Sequence, residues 1–206
     1  MWYQLVVGAG LIYITLFKRY SFSGIENLPP QGPIILAANH KSNLDPFYIA
    51  IALKRKVHFL AKDELFRNPM LGWFMGKLGT VQVKRGESDR EAIAKALSIL
   101  RQQEVLGIFV EGTRRKDITG VGNLKSGAAM LSHHSKTPIV PVGIIRRGRR
   151  VHVVFGKPIL IENLVGQDEV LSRKAVYARI NETLLSSLNA LLAETPARWA
   201  RLHPAP

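Results

Sequence analysis

Apolar positions along the chain fall into two kinds of run: short segments of strand type, β-branched or continuous, and longer stretches with helical spacing. Strands are predicted at Ile34 to Ala38, Val57 to Ala61, Thr80 to Val83, Leu106 to Val110, Ile139 to Ile144 and Val151 to Phe155. Their unbroken apolar character is that of a sheet covered on both faces. Helical stretches separate most of them, so the expected fold is α/β with a mostly parallel central sheet. The clearest helix starts at Ser88, where Ser88 and Glu91 form a capping box; it carries Ile93, Leu97 and Leu100 on one face and ends near Gln103. A second long helix is expected over Glu169 to Leu192, with Val176, Ile180, Leu184, Leu188 and Leu191 on one side, and Pro196 and Pro204 mark a frayed tail. Gly112 to Asn123 is weakly hydrophobic and glycine-rich, as in a surface loop joining a strand to a helix. There is no internal repeat and no linker.

The greasiest stretch is residues 1–17, which carry no charged side chain and end at Lys18 and Arg19. As a helix it would be roughly 25 Å long, somewhat short of a ~30 Å hydrocarbon core, which suits a shallow, re-entrant or tilted anchor as well as a span. It lacks the basic start and small-residue cleavage site of a secretory signal, so it is expected to be retained. The basic pair behind it is placed to meet cytoplasmic lipid headgroups. The competing reading is a buried helix of a soluble core. The chain is divided accordingly into a membrane-associating segment, residues 1–19, and one domain, residues 20–206.

Length and composition allow a sizeable core: 206 residues, 47% hydrophobic and 21% charged. Cysteine is absent, which removes disulfide frameworks and thiol catalysis. Lys and Arg number 29 against 15 Asp and Glu, a net +14 that calls for an anionic partner: nucleic acid, anionic lipid, a phosphorylated substrate or an acidic carrier protein. A nucleic-acid module lacks its usual signals here, with no aromatic-studded RNP strand, no helix-turn-helix pattern and no zinc ligands.

Three clusters carry chemistry. Asn39-His40-Lys41-Ser42-Asn43-Leu44-Asp45-Pro46 follows a strand and precedes the apolar run Phe47 to Leu53. A turn there can bring Asp45 onto one nitrogen of His40, fixing the tautomer and making His40 a general base for a hydroxyl. Asp45 followed by Pro46 is equally a plain helix N-cap with proline at the first helical position. Ser42 lacks the setting of a nucleophile elbow. Gly79 to Gly86 delivers Lys84 and Arg85 at a strand end, and Phe109 to Lys116 delivers Glu111, Gly112, Thr113, Arg114 and Arg115 at another. In a mostly parallel sheet these ends share a side, so Arg85 and Arg114 are placed to converge on a phosphate with bidentate geometry. Lys54-Arg55-Lys56 and the Arg146 to Arg150 run are expected to face anionic headgroups or an acidic carrier.

These residues resemble the motifs of the glycerolipid acyltransferases, specifically the lysophosphatidate (1-acylglycerol-3-phosphate) acyltransferases. His40 and Asp45 resemble the family's His-x4-Asp, Gly79 to Arg85 its Gly-rich strand ending in Arg, Glu111 to Arg114 its Glu-Gly-Thr-Arg, Val140 to Val142 its Val-Pro-Val block, and Lys125 and Gly127 its later Lys-x-Gly. The likeness covers about Phe22 to Pro158. Gln82 and Lys84 stand where the family has Phe and Asp, and Val110 and Arg115 where it has Pro and Ser, which bears on whether lysophosphatidate or another lysophospholipid is the acceptor.

The resemblance implies a sheet flanked by helices, seated on the cytoplasmic face of the membrane by the N-terminal helix. It implies acyl transfer from acyl-CoA or acyl carrier protein to the sn-2 hydroxyl of lysophosphatidate, with no cofactor or metal. His40 would be the base and Asp45 its orienting acid. Arg85 and Arg114 would grip the phosphate with help from Lys84 and Lys125, Glu111 would orient Arg114 or a glycerol hydroxyl, and Pro141 would shape the sheet end near the acyl chain. Anionic membrane lipids are the expected surroundings and nucleic acid is not an expected partner. A membrane-bound phosphoester hydrolase using His40 is the other enzymatic reading.

Overall fold

A computed structural model of the chain describes residues 2–17, 19–53, 55–83, 89–112, 120–164 and 171–202. The strands are β1 (Arg19–Ser23), β2 (Ile34–Ala38), β3 (Val57–Lys62), β4 (Val81–Val83), β5 (Val105–Phe109), β6 (Ile139–Arg147) and β7 (Arg150–Phe155). The helices are α1 (Trp2–Phe17), α2 (Asp45–Ala52), α3 (Pro69–Lys77), α4 (Arg90–Arg101), α5 (Gly127–Ser135) and α6 (Arg173–Leu202). One sheet holds all seven strands in the order β1-β7-β6-β2-β5-β3-β4. From β6 to β4 every neighbouring pair is parallel; β7 folds back antiparallel on β6, and β1 runs parallel to β7. The mostly parallel α/β sheet flanked by helices is therefore what the chain forms.

β2 shows how the sequence makes this sheet. All five of its residues are buried, alternating between two apolar layers as a strand must. Ile35 and Ala37 join the layer built by α4, α5 and α6, which includes Leu100, Leu131, Ile180 and Leu184. Ile34, Leu36 and Ala38 join the opposite layer, with Tyr48 and Ile49 of α2 and Tyr20 and Phe22 of β1 packed in. Truncating one such side chain, for instance Ile35→Ala, removes about 2–5 kcal/mol of stability, from lost transfer energy and the cavity left behind.

Several boundaries differ from expectation. β1 was not anticipated: Arg19, read as a headgroup anchor, opens a strand, and its N–H donates to the Arg149 carbonyl at 3.1 Å. α4 is capped by Asp89, whose carboxylate accepts the Ala92 N–H at 3.0 Å, so the Ser88–Glu91 capping box gives way to a cap one residue later; Ser88 lies outside the described residues. Asp caps as well as Ser and adds a negative charge at the positive end of the helix. α6 begins at Arg173 and continues through Pro196 to Leu202, where fraying was expected; Glu169 and Pro204 lie outside the described residues.

α1 is not a core helix. Leu5, Ile12 and Leu16 are 58%, 63% and 71% exposed, which overturns the buried-helix alternative. It is held to the domain at its start, where the Val57 N–H donates to the Tyr3 hydroxyl at 3.0 Å and the Trp2 ring meets Trp73 of α3 edge-on at 5.6 Å. Among the described residues, no helix is long and apolar enough to cross a membrane.

Candidate active site

β2 and β5 end side by side, with Ala38 opposite Phe109, and the Val110 N–H bonds the Ala38 carbonyl at 3.0 Å. The segments that follow, Asn39-His40 and Val110-Glu111, therefore leave the sheet at the carboxyl ends of parallel strands, the usual place for a site in such a sheet. Asn39 is wholly buried and turns back onto β6. Its amide Nδ2 donates to the Ile144 carbonyl at 3.0 Å and its Oδ1 accepts the Ile144 N–H at 2.7 Å. One side chain thus supplies an extra rung where the β2–β6 backbone pairing has ended at Ala38 and Val142.

From this fixed point the chain turns through Lys41 to Leu44 and enters α2. Asp45, fully buried, sends Oδ2 back across the turn to accept three N–H groups: the His40 Nδ1–H at 2.9 Å and the Lys41 and Ser42 backbone N–H groups at 2.6 Å each. The N-cap reading of Asp45 is corrected here. Leu44 occupies the cap position, and Asp45 is the first helical residue, its carboxylate serving the turn behind it rather than the helix ahead. Pro46 has no N–H to offer a cap, so the backward direction conflicts with nothing. Ser42 is a turn residue whose Oγ accepts the Leu44 N–H at 3.3 Å.

The imidazole of His40 is held on its flat face as well. It stacks on Phe109 with ring centroids 3.9 Å apart and an interplanar angle of 19°, and Phe109 stacks in turn on Phe59 at 5.7 Å and 12°. Phe59 reaches that position because it lies over Gly107; a Cβ there would come within 2.4 Å of its ring. With Nδ1 donating to the Asp45 carboxylate, the neutral imidazole has its lone pair on Nε2, an arrangement able to accept a proton. The His40 side chain is 17% exposed.

Glu111 lies beside the pair, nearly buried. Oε2 accepts the His40 backbone N–H at 3.3 Å and Oε1 accepts the Gly122 N–H at 2.8 Å, so it ties the main chain at His40 to the main chain at Gly122. Gly112 adopts φ 63° and closes a turn to the Phe109 carbonyl at 2.9 Å. Lys125 is exposed at the same strand end, anchored through its backbone N–H on the Val110 carbonyl at 2.8 Å. Pro141 sits inside β6, buried and opposite Ala37, three residues before the strand meets Asn39; its carbonyl accepts the Gly156 N–H at 2.8 Å. Lys84, Arg85, Thr113 and Arg114 lie outside the described residues, beyond the ends of β4 and of the Phe109 turn.

Two cations expected at the surface are turned inward. The Arg55 guanidinium donates from Nη2 to the Gly32 and Gln103 carbonyls at 2.6 and 2.8 Å, tying two loops together. Arg146 leans over the Tyr48 ring at 6.0 Å and sets Nη2 3.8 Å from Asp45 Oδ1. Both are half-buried, with part of the guanidinium on carbonyl or carboxylate partners in place of water. From the sequence no role fell to Asn39 or Phe109, and Arg146 was expected to face headgroups or an acidic carrier with the rest of its run. For Arg146 a signal existed: it is two residues past Ile144 on one strand, and period two puts both on the same face.

The acyltransferase family model matches residues 19–145, from the first residue of β1 to the residue before Arg146. The chain belongs to the acyltransferase family. It is 27% identical over 187 residues to a chloroplastic 1-acyl-sn-glycerol-3-phosphate acyltransferase of Brassica napus, with 89% of this chain and 53% of the relative covered. To the 1-acyl-sn-glycerol-3-phosphate acyltransferase of Bacillus subtilis it is 28% identical over 167 residues, covering 76% of this chain and 82% of that one. This acyltransferase-family chain spans about half the length of the first curated plant relatives it matches. Its fold is similar to the crystal structure of the 1-acyl-sn-glycerophosphate acyltransferase PlsC of Thermotoga maritima, with TM-score 0.71 and 25% identity over 96% of this chain and 80% of that one. His40, Asp45, Glu111, Lys125 and Pro141 all fall inside the segment that the acyltransferase model matches.

Proposed function

We propose that the chain is a 1-acylglycerol-3-phosphate O-acyltransferase, moving a fatty acyl group from an acyl thioester, on coenzyme A or an acyl carrier protein, to the sn-2 hydroxyl of lysophosphatidate. The names of its relatives support the substrate class. The observation that carries the reading is the His40 Nδ1 to Asp45 Oδ2 hydrogen bond of 2.9 Å at the strand ends, which leaves Nε2 as an oriented base.

His40 Nε2 takes the hydroxyl proton as the oxygen attacks the thioester carbonyl. The C–S bond then breaks, and the thiolate takes the proton back from His40. A thioester is already activated, so general base catalysis worth ~10²–10⁴ together with positioning suffices. Asp45 stabilises the transient imidazolium. Arg85 and Arg114 hold the acceptor phosphate, aided by Lys84 and Lys125. Glu111 keeps a second lone pair on each oxygen for Arg114 or a glycerol hydroxyl while it clamps the His40 main chain.

The same proposal seats the domain on the cytoplasmic face of a membrane through one apolar surface. Trp2, Leu5, Ile12 and Leu16 of α1 and Met70 and Trp73 of α3 are exposed there, with Lys56 over the Tyr3 ring at 6.0 Å and Lys77 over the Trp73 ring at 5.7 Å. Exposed aromatics flanked by lysines suit an anionic lipid interface. Purified protein incubated with labelled acyl-CoA or acyl carrier protein and a panel of lysolipids should yield phosphatidate, identified by mass, from lysophosphatidate in preference to the others. Free phosphate, or label transferred equally to uncharged lysolipids, would overturn the assignment.

A further inference from the structure

Arg146 lies one residue beyond the matched family segment; its side chain is a quarter exposed, and its buried Nη2 faces Asp45 of the His40–Asp45 pair. β6 carries it there. Asn39 fixes Ile144 by two hydrogen bonds, and two residues further along the same face the Arg146 side chain runs beneath α2, its guanidinium over Tyr48 and its Nη2 3.8 Å from Asp45 Oδ1. Nε and Nη2 are buried without a hydrogen-bond partner, and so is Asp45 Oδ1. A guanidinium so placed is held by charge, and the carboxylate it faces is Asp45. The two oxygens of Asp45 thus have separate duties: Oδ2 receives three N–H groups, and Oδ1 meets the cation. The terminal torsion of an aspartate is soft. Opposed anchors on its two oxygens remove that softness.

Taking His40 as the base of the proposed reaction, we infer that Arg146 is a positioning residue, which locks the Asp45 carboxylate so that Oδ2 stays in line with the His40 Nδ1–H while the proton moves. It touches neither substrate nor the reacting atoms.

The test compares Arg146→Met and Arg146→Lys with the unaltered protein and with His40→Ala. Two quantities are read: kcat and KM for lysophosphatidate, and the downfield proton NMR resonance of the His40 Nδ1–H, assigned as the one missing from His40→Ala. Arg146→Met should lower kcat about 10²-fold, the usual cost of a reacting group misplaced by about 1 Å, with KM unchanged and the resonance broadened or moved upfield. Arg146→Lys should restore most of both. An unchanged kcat and resonance would overturn the inference. So would a raised KM at constant kcat, which makes Arg146 an anion-binding residue. If Arg146→Met does not fold, Arg146→Gln reads the same quantities, and failure of both uncharged variants to fold would assign Arg146 to stability alone. Full acyl transfer by His40→Ala would instead refute the proposed mechanism, while the resonance would still report on Arg146 and Asp45.

Discussion

Asp45→Asn separates the charge of Asp45 from its shape. The amide oxygen can replace Oδ2 and accept the same three N–H groups from His40, Lys41 and Ser42. Its NH₂ then faces the Arg146 guanidinium, donor against donor, and turning the amide over would set NH₂ against all three donors. The unturned form therefore prevails, at a stability cost of about 1–3 kcal/mol. The larger effect is on the imidazolium formed when His40 takes a proton. At a charge separation of ~4 Å and an effective dielectric of ~20, Asp45 stabilises it by about 4 kcal/mol. At ~1.4 kcal/mol per tenfold in rate, that is roughly three decades in kcat. The assay is steady-state transfer from a labelled thioester to lysophosphatidate, with circular dichroism melts confirming the fold. Asp45→Ala provides the contrast: it also strips the acceptor from two turn N–H groups and should melt earlier than Asp45→Asn. If folded Asp45→Asn keeps kcat within about tenfold of the unaltered protein, no imidazolium forms in the rate-limiting step and the general-base mechanism fails.

Asn39→Ala removes both bonds to Ile144 and strands a buried N–H and carbonyl on β6, so urea denaturation should show a loss of about 2–5 kcal/mol; a loss under 1 kcal/mol would mean water replaces the amide. Burial pushes the His58 imidazole below its ordinary 6.5, partly opposed by its bond to the Gly79 carbonyl and reinforced by Lys56. The unfolded chain then takes up the proton at higher pH than the folded one, so this contribution to stability is complete above about pH 6.5 and declines as pH falls through the lower folded value. His58→Gln, which keeps a donor for Gly79, should flatten that decline in thermal melts between about pH 7 and 5, and an unchanged slope refutes the assignment. Met70→Glu should weaken sedimentation with anionic vesicles while leaving the melting temperature within about 2 °C, because Met70 is 79% exposed; equal vesicle binding would remove α3 from the membrane surface.

The fold was legible where burial is two-sided. β2, β5 and β6 as far as Ile145 carry no charged or polar side chain because helices cover both faces, and such runs name themselves. β1 was not legible, since Arg-Tyr-Ser-Phe-Ser alternates: Tyr20 and Phe22 pack into the core layer, while Ser21 and Ser23 hydrogen-bond the buried His152 at 2.7 and 2.9 Å. The polar half of that alternation has a partner only once β7 lies alongside. The α4 cap was misplaced for a related reason. Ser88 and Asp89 are both good caps, and which one closes the helix depends on the direction from which the chain arrives.

The site divides along the same line. His40 and Asp45 meet within one turn, so residue type and spacing foretold their contact. The groups that hold the pair in place come from far along the chain: Glu111 reaches the His40 N–H across 71 positions and Asn39 reaches Ile144 across 105. No local pattern encodes such contacts, because they exist only after β2 has acquired β5 on one side and β6 on the other. Under the proposed mechanism this arrangement has a functional reason. A short polar turn has little apolar surface with which to hold one conformation, and a base must stay within a few tenths of an ångström of its proton. The sheet supplies what the turn lacks: Phe109 fixes the plane of the imidazole, Glu111 its backbone, Asn39 the strand end it springs from and Arg146 the far oxygen of its acid. Substitutions at these four positions should therefore lower kcat more than they lower affinity, although none carries out the proton transfer.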